Sequence, residues 1–494
     1  MEFFAGWRKD NRGLFQEIQA NAVRDKVRLY LVGGALRDVI LKKNRSDPDF
    51  DFCLKKNAVT FARKTARAMN AGFVVLDKDH GCARIVRKEK GRTVTLDFSD
   101  FRGPALDDDL HLRDFTINSL AAALDDILSG PGLDKIVIDP CGGRLDLDKR
   151  LIRTAYARSF DDDPLRVMRA FSLSAVLGFR IDGRTRKLAV SKRNKLRTVS
   201  MERIRDELFK VLASPAGYEI ISELDSSGIL ELAVPHLGKI KKIKRPALAR
   251  LGVWRHTLLT LQNTEALIKH YSRNPAVKAY LETAISSGRS RADLLKLAAL
   301  VHDVGKPGTF KVEDKKIQFH GHERLGSYLA GDVCARLKLS NEESRILRRI
   351  VFLHLRPGYL VTNPALTAKA RFRFFRDAGE EAGSVLFLAL ADERSTKGYL
   401  LLNKIRAKYE KVIPRLIREY FSPVKEEKRE RLINGDDIMA RFGLEPSLLI
   451  GKLLRDLEEL QALGKIKSRQ EAFNACAGLL KGGRAASQGA AQYT

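Results

Sequence analysis

Residues 31–54 read LVGGALRDVILKKNRSDPDFDFCL, and this stretch decides how the first part of the chain folds. Gly33-Gly34 follow the run Val27-Arg28-Leu29-Tyr30-Leu31-Val32 and precede a helical pattern, so the segment predicts a strand, a tight turn and a helix. Glycines at such a turn let backbone N–H groups approach phosphate oxygens, and the helix start adds a partial positive charge. A glycine pair alone fits an ordinary turn equally well; the second half of the stretch separates the two. Asp49 and Asp51 flank Phe50 in a run that resumes apolar at Phe52, and residues two apart on a strand point to one face. Two carboxylates on one face repel unless a cation lies between them, which is the service that hard, oxygen-ligated Mg²⁺ performs in phosphoryl transfer. Asp97, in Val94-Thr95-Leu96-Asp97-Phe98, stands where a neighbouring strand could supply a third carboxylate.

Outward from this stretch, short β-branched runs (Phe73-Val74-Val75-Leu76, Thr93-Val94-Thr95-Leu96) alternate with helical patterns to about Asp139. From Ala155 onward apolar residues recur at three- and four-residue spacing, as in Leu165, Met168, Phe171 and Leu208, Val211, Leu212, which predicts helices. Basic, proline-containing stretches at 239–246 and 414–431 are expected joints between domains, and the Gly-, Ala-, Ser- and Gln-rich residues 482–494 a loose tail.

The chain has 494 residues, enough for roughly two to four domains. With 44% apolar and 31% charged residues it has the material for cores and is not compositionally disordered. Lys and Arg number 90 against 61 Asp and Glu, a net charge of +29 that attracts polyanions, nucleic acid first and acidic membrane second. The longest apolar runs, such as residues 385–391, fall far short of the ~20 residues of a bilayer span, so no membrane insertion is expected. The amino terminus has no apolar core with a small-residue cleavage site, which predicts a cytoplasmic protein. Cys53, Cys82, Cys141, Cys334 and Cys476 are odd in number and scattered, and read as reduced, buried thiols.

The order of Gly33-Gly34, Arg37-Asp38 and Asp49-Phe50-Asp51 resembles the head motif of the bacterial-type tRNA nucleotidyltransferase and poly(A) polymerase family, the class II CCA-adding enzymes. Leu112-Arg113-Asp114-Phe115-Thr116-Ile117-Asn118 resembles the RRDFTIN motif, Asp162-Asp163-Pro164-Leu165-Arg166 the EDxxR motif, and Ser200-Met201-Glu202-Arg203-Ile204 the next motif of the helical neck. The resemblance implies that Asp49 and Asp51 hold Mg²⁺, and the side-chain alternation around Asp97 makes it a candidate third catalytic carboxylate. The resemblance also implies that Gly33, Gly34 and Arg37 contact the triphosphate of ATP or CTP, and that Arg113, Asp114, Asn118 and Arg169 contact nucleotide phosphate or ribose. Asp163 and Arg166 would face the incoming base, since a guanidinium donates where cytosine offers acceptors and a carboxylate accepts from an exocyclic amine. An isolated Asp–Arg pair at this spacing is ordinarily an intrahelical salt bridge. Two departures bear on the product: Leu112 stands in place of the first Arg of RRD, and Ser172 where a further neck Arg is common.

A second set comprises His256, His302-Asp303, His320, His322, His354 and Asp392. Imidazole suits transition metals and carboxylate hard ones, so the set suits a mono- or dinuclear hydrolase site. The spacing resembles the HD phosphohydrolase domain, which implies metal held by His302, Asp303 and Asp392, with either His320 or His322 as the intermediate ligand and a transition metal or Mg²⁺ bound. Residues 432–454 resemble the tail segment of the nucleotidyltransferases, whose basic helices would grip an RNA helix by shape and phosphate.

The expectation is therefore an α+β protein: a nucleotidyltransferase-fold head with a mixed sheet (1–150), then all-α neck (151–238), HD domain (239–422), RNA-anchoring tail (423–481) and loose terminus (482–494). Its implied function is template-independent addition of C and/or A from CTP or ATP to the 3′ end of RNA, most naturally tRNA. An A-only, CC-only or poly(A) product is the alternative within the class, and HD-type phosphohydrolysis of nucleotides or RNA ends the alternative outside it.

Overall fold

The structure, a computed structural model, describes residues 2–43, 49–89, 91–130, 132–243, 252–314, 316–362, 366–396, 400–422 and 430–490. It comprises two compact units, Met1–Ala233 and Val234–Thr494.

The first unit opens with helix α1 (Glu2–Arg24), then β1 (Tyr30–Val32), α2 (Gly34–Ile40), β2 (Asp49–Leu54), α3 (Ala58–Ala68), β3 (Gly72–Asp77), β4 (Cys82–Glu89), β5 (Arg92–Asp100) and β6 (Ala121–Ala123). β1 is shorter than the apolar run predicts because the end of α1 consumes its first residues. Lys26 turns left-handed at φ 55° and the Val27 N–H donates back to the Ala22 carbonyl at 2.9 Å.

The six strands form one sheet in the order β3-β4-β5-β2-β1-β6. β2 runs parallel to β5 and the other neighbours are antiparallel, which is the expected mixed sheet. β2 lies near its centre, with Asp51 opposite Val32 of β1 and Asp97 of β5. Alternation turns Phe50 and Phe52 to the face opposite the aspartates. There the Phe15 ring of α1 meets Phe50 at 5.1 Å and Phe52 at 6.1 Å, and Trp7 reaches Phe50 at 6.1 Å. Burial of these rings fixes which way β2 faces, and so frees the other side for Asp49 and Asp51.

Helices α4 (Arg166–Leu177) and α5 (Met201–Ala213) follow and pack on each other, α4 ending at Gly178 in the left-handed conformation. A short parallel pair, Leu151–Ile152 with Arg180–Ile181, accompanies them.

The second unit contains α6 (Val253–Tyr271), α7 (Arg291–Val301), α8 (His322–Arg336), α9 (Asn341–Leu353), α10 (Ala382–Ser395), α11 (Leu400–Tyr420) and α12 (Leu448–Ala462). α7 is buried at every residue but Ala292 and starts at a capping box, Ser290 with Asp293; Ser340 and Glu343 do the same for α9. Pro414, expected in a joint, lies inside α11, where the neighbouring Ile413, Leu416 and Ile417 are buried and hold the helix together. Among the described residues, strands here are limited to two small hairpins, Ala284–Ser286 with Arg289–Ser290 and Lys311–Glu313 with Lys316–Gln318.

Helices Gly435–Phe442, α12 and Arg469–Ala490 close a small core of Ile433, Ile438, Ile450, Leu453 and Leu457. The last of these helices runs through residues 482–490 of the segment expected as a loose tail; residues 491–494 lie outside the described residues. Among the described residues no helix is long and apolar enough to cross a membrane. All five cysteines are free thiols; Cys53, Cys334 and Cys476 are buried and Cys82 and Cys141 partly so.

Candidate active site

Gly33 stands between β1 and α2 at φ 73°, ψ −134°, a conformation essentially reserved for glycine. A Cβ there would lie 3.3 Å from Asp51 Oδ2 and 3.5 Å from Arg113 Nη1. The turn thus closes directly on the carboxylate and on a guanidinium from the 112–118 segment. Around it is a cavity of about 270 Å³ lined by Gly33, Gly34, Asp51, Asp97, Arg113, Asp114, Asn118, Asp163, Arg166 and Arg169, together with Ser99 and Arg102. Of the residues expected in the head and neck site, only Asp49 and Arg37 are absent from this lining.

Asp49 is the exposed first residue of β2, opposite Thr95. The Asp51 carboxyl is pushed up to about 6 by burial first, then by the Asp49 and Asp97 charges, with Arg113 and Arg169 pulling the other way. A sequestered carboxyl repelled by its neighbours, facing a cradle that admits no side chain, suits a hard divalent cation, and Asp49 and Asp51 fit Mg²⁺ in this respect.

Asp97 lines the same cavity as Asp51. It lies across from Asp51 as predicted, but both its oxygens are engaged by Arg84, Nε to Oδ1 and Nη2 to Oδ2, each at 2.7 Å. Its charge shapes Asp51, and each of its oxygens keeps a lone pair beyond the bond to Arg84.

Arg37 does not line the cavity. Its buried guanidinium donates to Asn118 Oδ1 at 2.7 Å and to Asp38 Oδ1 at 2.9 Å, so it orients Asn118 from behind the cavity. Asn118 in turn donates to Asp114 Oδ1 at 3.2 Å, and Arg169 Nη2 pairs with Asp114 Oδ2 at 2.8 Å. Burial disfavours the Asp114 charge, yet Arg169, Arg166 and these hydrogen bonds hold its carboxyl below the usual range. Arg113 is anchored by Asp109, Nη2 to Oδ2 at 2.8 Å.

Asp163 and Arg166 do not use each other's side chains. Asp163 takes Arg203 Nη2 at 3.1 Å, whereas Arg166 donates to the Leu112 carbonyl at 3.2 Å and to Tyr156 Oη and Ser159 Oγ, both at 3.1 Å. Position 112 therefore contributes its backbone even without the arginine expected there. Ser172 Oγ donates to the buried Glu207 carboxylate, tying α4 to α5. Sequence reasoning did not single out Arg84, Arg102 or Arg203. Arg203 lay within the 200–204 motif, but nothing in the linear sequence indicated Asp163 as its partner.

In the second unit, His256, His302 and Asp392 form one group of converging ligand atoms and Asp303, His322 and His354 another, each within 4.8 Å. The Nδ1 atoms of His302, His322 and His354 meet backbone carbonyls of Ala299, Phe319 and Val351 at 2.9, 2.8 and 2.6 Å. Those bonds place the proton on Nδ1 and turn Nε2 inward, the usual orientation of metal-binding imidazoles. His256 Nε2 lies 2.7 Å from Asp392 Oδ1, and His322 Nε2 3.3 Å from His354 Nε2. His302 Nε2 lies 3.3 Å from Asp303 Oδ2 and 3.5 Å from Asp392 Oδ1, and His322 Nε2 3.5 Å from Asp303 Oδ1, a buried donor set whose chemistry fits a cation. Burial and the neighbouring His302 depress His354 to about 4, keeping that imidazole neutral. Of the two candidates for the intermediate ligand, His322 is in the cluster; His320 is exposed and outside both groups.

Comparison with known families matches the "Poly A polymerase head domain" at residues 29–153, the "Probable RNA and SrmB-binding site of polymerase A" at 178–240 and the "HD domain" at 253–395. An A-adding tRNA nucleotidyltransferase of Deinococcus radiodurans is 31% identical over 90% of this chain and 93% of its own length. A CC-adding tRNA nucleotidyltransferase of Synechocystis is 28% identical over 90% and 91%. Among solved structures, the Thermotoga maritima CCA-adding enzyme in complex with tRNA matches with a TM-score of 0.60 at 20% identity over 95% of both chains, a likeness of fold.

Proposed function

The chain belongs to the tRNA nucleotidyltransferase and poly(A) polymerase family, and on that premise we propose that it adds C and/or A from CTP or ATP to the 3′ end of tRNA without a nucleic-acid template. The observation that carries this reading is the convergence of Asp51, the Gly33 turn and the Asp163 and Arg166 side chains on one cavity. The RNA 3′-hydroxyl attacks the α-phosphate and pyrophosphate leaves. Mg²⁺ held by Asp49 and Asp51 would neutralise the triphosphate and the charge developing on the attacking and leaving oxygens. Arg113, fixed by Asp109, presents Nη1 beside the glycine turn, where phosphate charge accumulates. Asn118, oriented by Arg37, and Arg169 complete that wall. Asp163 accepts from the exocyclic amine common to cytosine and adenine, and Arg166 donates to a ring acceptor. Arg203 is a positioning residue that holds the Asp163 carboxylate in place.

This reading divides the chain into head, neck, HD domain and tail near residues 150, 238 and 422, with the matched family segments as its support. A tRNA substrate implies action in the cytoplasm. The test is to offer tRNAs lacking one, two or all three nucleotides of the CCA end, with CTP and ATP singly and together, and to read product length. Asp49→Ala should abolish addition and leave the fold intact; full incorporation by that variant would refute the assignment.

A second activity is favoured by the two ligand groups of the HD region. We propose that they hold a dinuclear metal centre that hydrolyses phosphate esters of nucleotides or RNA ends. Hydrolysis that survives Asp49→Ala and disappears with Asp303→Ala would establish it as separate from addition.

A further inference from the structure

Apart from both sites, the second unit carries a cavity of about 300 Å³ between the helices Arg356–Thr362 and Ala368–Ala378. Its floor is apolar, with Leu360 and Phe374 buried. Arg356, Lys369 and Arg373 line it together with Tyr359, and no acidic residue does among the described residues. The cations are held from behind: Arg373 spends Nε and Nη2 on Glu459 of α12, Lys369 reaches Glu459 Oε1 at 2.9 Å, and Arg356 Nη1 meets Asp377 Oδ2 at 2.9 Å. These carboxylates fix the direction of the cationic groups while 44% of the Arg356 side chain, 55% of Lys369 and 47% of Arg373 stay exposed. Tyr359 is 62% exposed, so much of its ring is open to solvent at the pocket's edge.

From this arrangement we propose that the pocket takes one unstacked nucleotide of the RNA substrate. The base lies on the Tyr359 ring above Leu360, and the adjoining phosphates meet Arg356, Lys369 and Arg373. An apolar floor, an exposed ring and pre-aimed cations are the parts of a single-strand binding site, in which stacking tolerates any base and charge follows the backbone. A free nucleoside triphosphate offers the same chemistry. The RNA is favoured because neither a glycine turn nor a carboxylate pair that would seat a triphosphate with its metal lines this pocket among the described residues. The inference rests on the RNA substrate named above.

The test measures binding of fluorescently labelled tRNA lacking its CCA end to the full-length protein, alongside the steady-state constants for addition. Tyr359→Ala should weaken RNA binding by ~5- to 150-fold, the range for loss of one stacked base, with kcat at saturating RNA unchanged. Tyr359→Phe keeps the ring and should bind as the wild type does. Lys369→Gln should lower the slope of log Kd against log salt by ~0.7–0.9. Binding by Tyr359→Ala within twofold of wild type, equal losses in the Ala and Phe variants, or an effect confined to the KM for ATP or CTP would each overturn the proposal. A wild-type protein that binds tRNA in a Tyr359-dependent way yet adds no nucleotide would refute the enzymatic reading and leave the pocket standing.

Discussion

Replacing Asp51 with asparagine should make the protein more stable and destroy its activity. Burial and the Asp49 and Asp97 charges move the Asp51 carboxyl from 3.8 to about 6. Between those values the folded protein keeps a proton that the unfolded chain has released, so stability falls as pH rises through that window. Above pH 7 the whole penalty is present, about 3 kcal/mol as an upper figure. The substituted amide carries no charge to desolvate, so Asp51→Asn should raise the melting temperature of the metal-free protein at pH 7.5. The size should be ~2–4 °C per kcal/mol for a unit of this length, and the gain should vanish near pH 4. Mg²⁺ should stabilise the wild type, with tighter binding as pH rises from 5 to 7 because the cation displaces the Asp51 proton, and should leave the variant unmoved. Addition of labelled nucleotide should fall on the order of 10³-fold. The assay is paired thermal melts at pH 4 and 7.5 with and without Mg²⁺, beside the incorporation measurement. A variant that melts at or below the wild-type temperature at pH 7.5, or that still responds to Mg²⁺, would refute the reasoning.

Other consequences are as direct. Arg203→Ala releases Asp163 and should raise the KM for CTP or ATP ~10-fold, the cost of one charge-assisted contact, with RNA affinity unchanged; an unaltered KM would remove Arg203 from the positioning role. His354→Ala should lose metal measured on the purified protein by elemental analysis, while His320→Ala keeps it; equal loss in both would contradict the cluster. Phe15→Ala opens a hole behind β2 and should cost about 3–5 kcal/mol of stability. At a temperature where that variant stays folded, kcat should fall while RNA affinity holds, because the carboxylate strand loses its backing.

Much of the head was legible in the linear sequence because its information is local. The glycine turn, the alternation of Asp49, Phe50 and Asp51 and the apolar runs of the strands each depend on neighbours within a few residues. What escaped was the pairing of side chains distant in sequence. Arg84 taking both oxygens of Asp97 follows from strand register between β4 and β5, which alternation alone does not set. The resemblance put Arg37 on the triphosphate, and its bond to Asn118, 81 residues on, is a contact the linear sequence does not reveal. Between His320 and His322 the choice belongs to the helix start: Gly321 turns left-handed, His322 opens α8 facing inward, and His320 is left outside. Pro414 misled for the converse reason, since composition names a breaker without knowing what packs beside it.

The two cross-links that join α5 to α4 and to the residues just before it have a further implication. Arg203 to Asp163 forms an outer rung at the mouth of the cavity, and Ser172 to Glu207 an inner rung deeper in the neck. The edge presented to an incoming base is thus the end of a ladder whose geometry is set partly by a rung that touches no substrate. Exchanging serine for a longer side chain at 172 would respace the helices and shift the outer carboxylate relative to the guanidinium of Arg166. Within such a scaffold, preference between pyrimidine and purine can drift through changes at the joint, with every base-contacting residue left as it was.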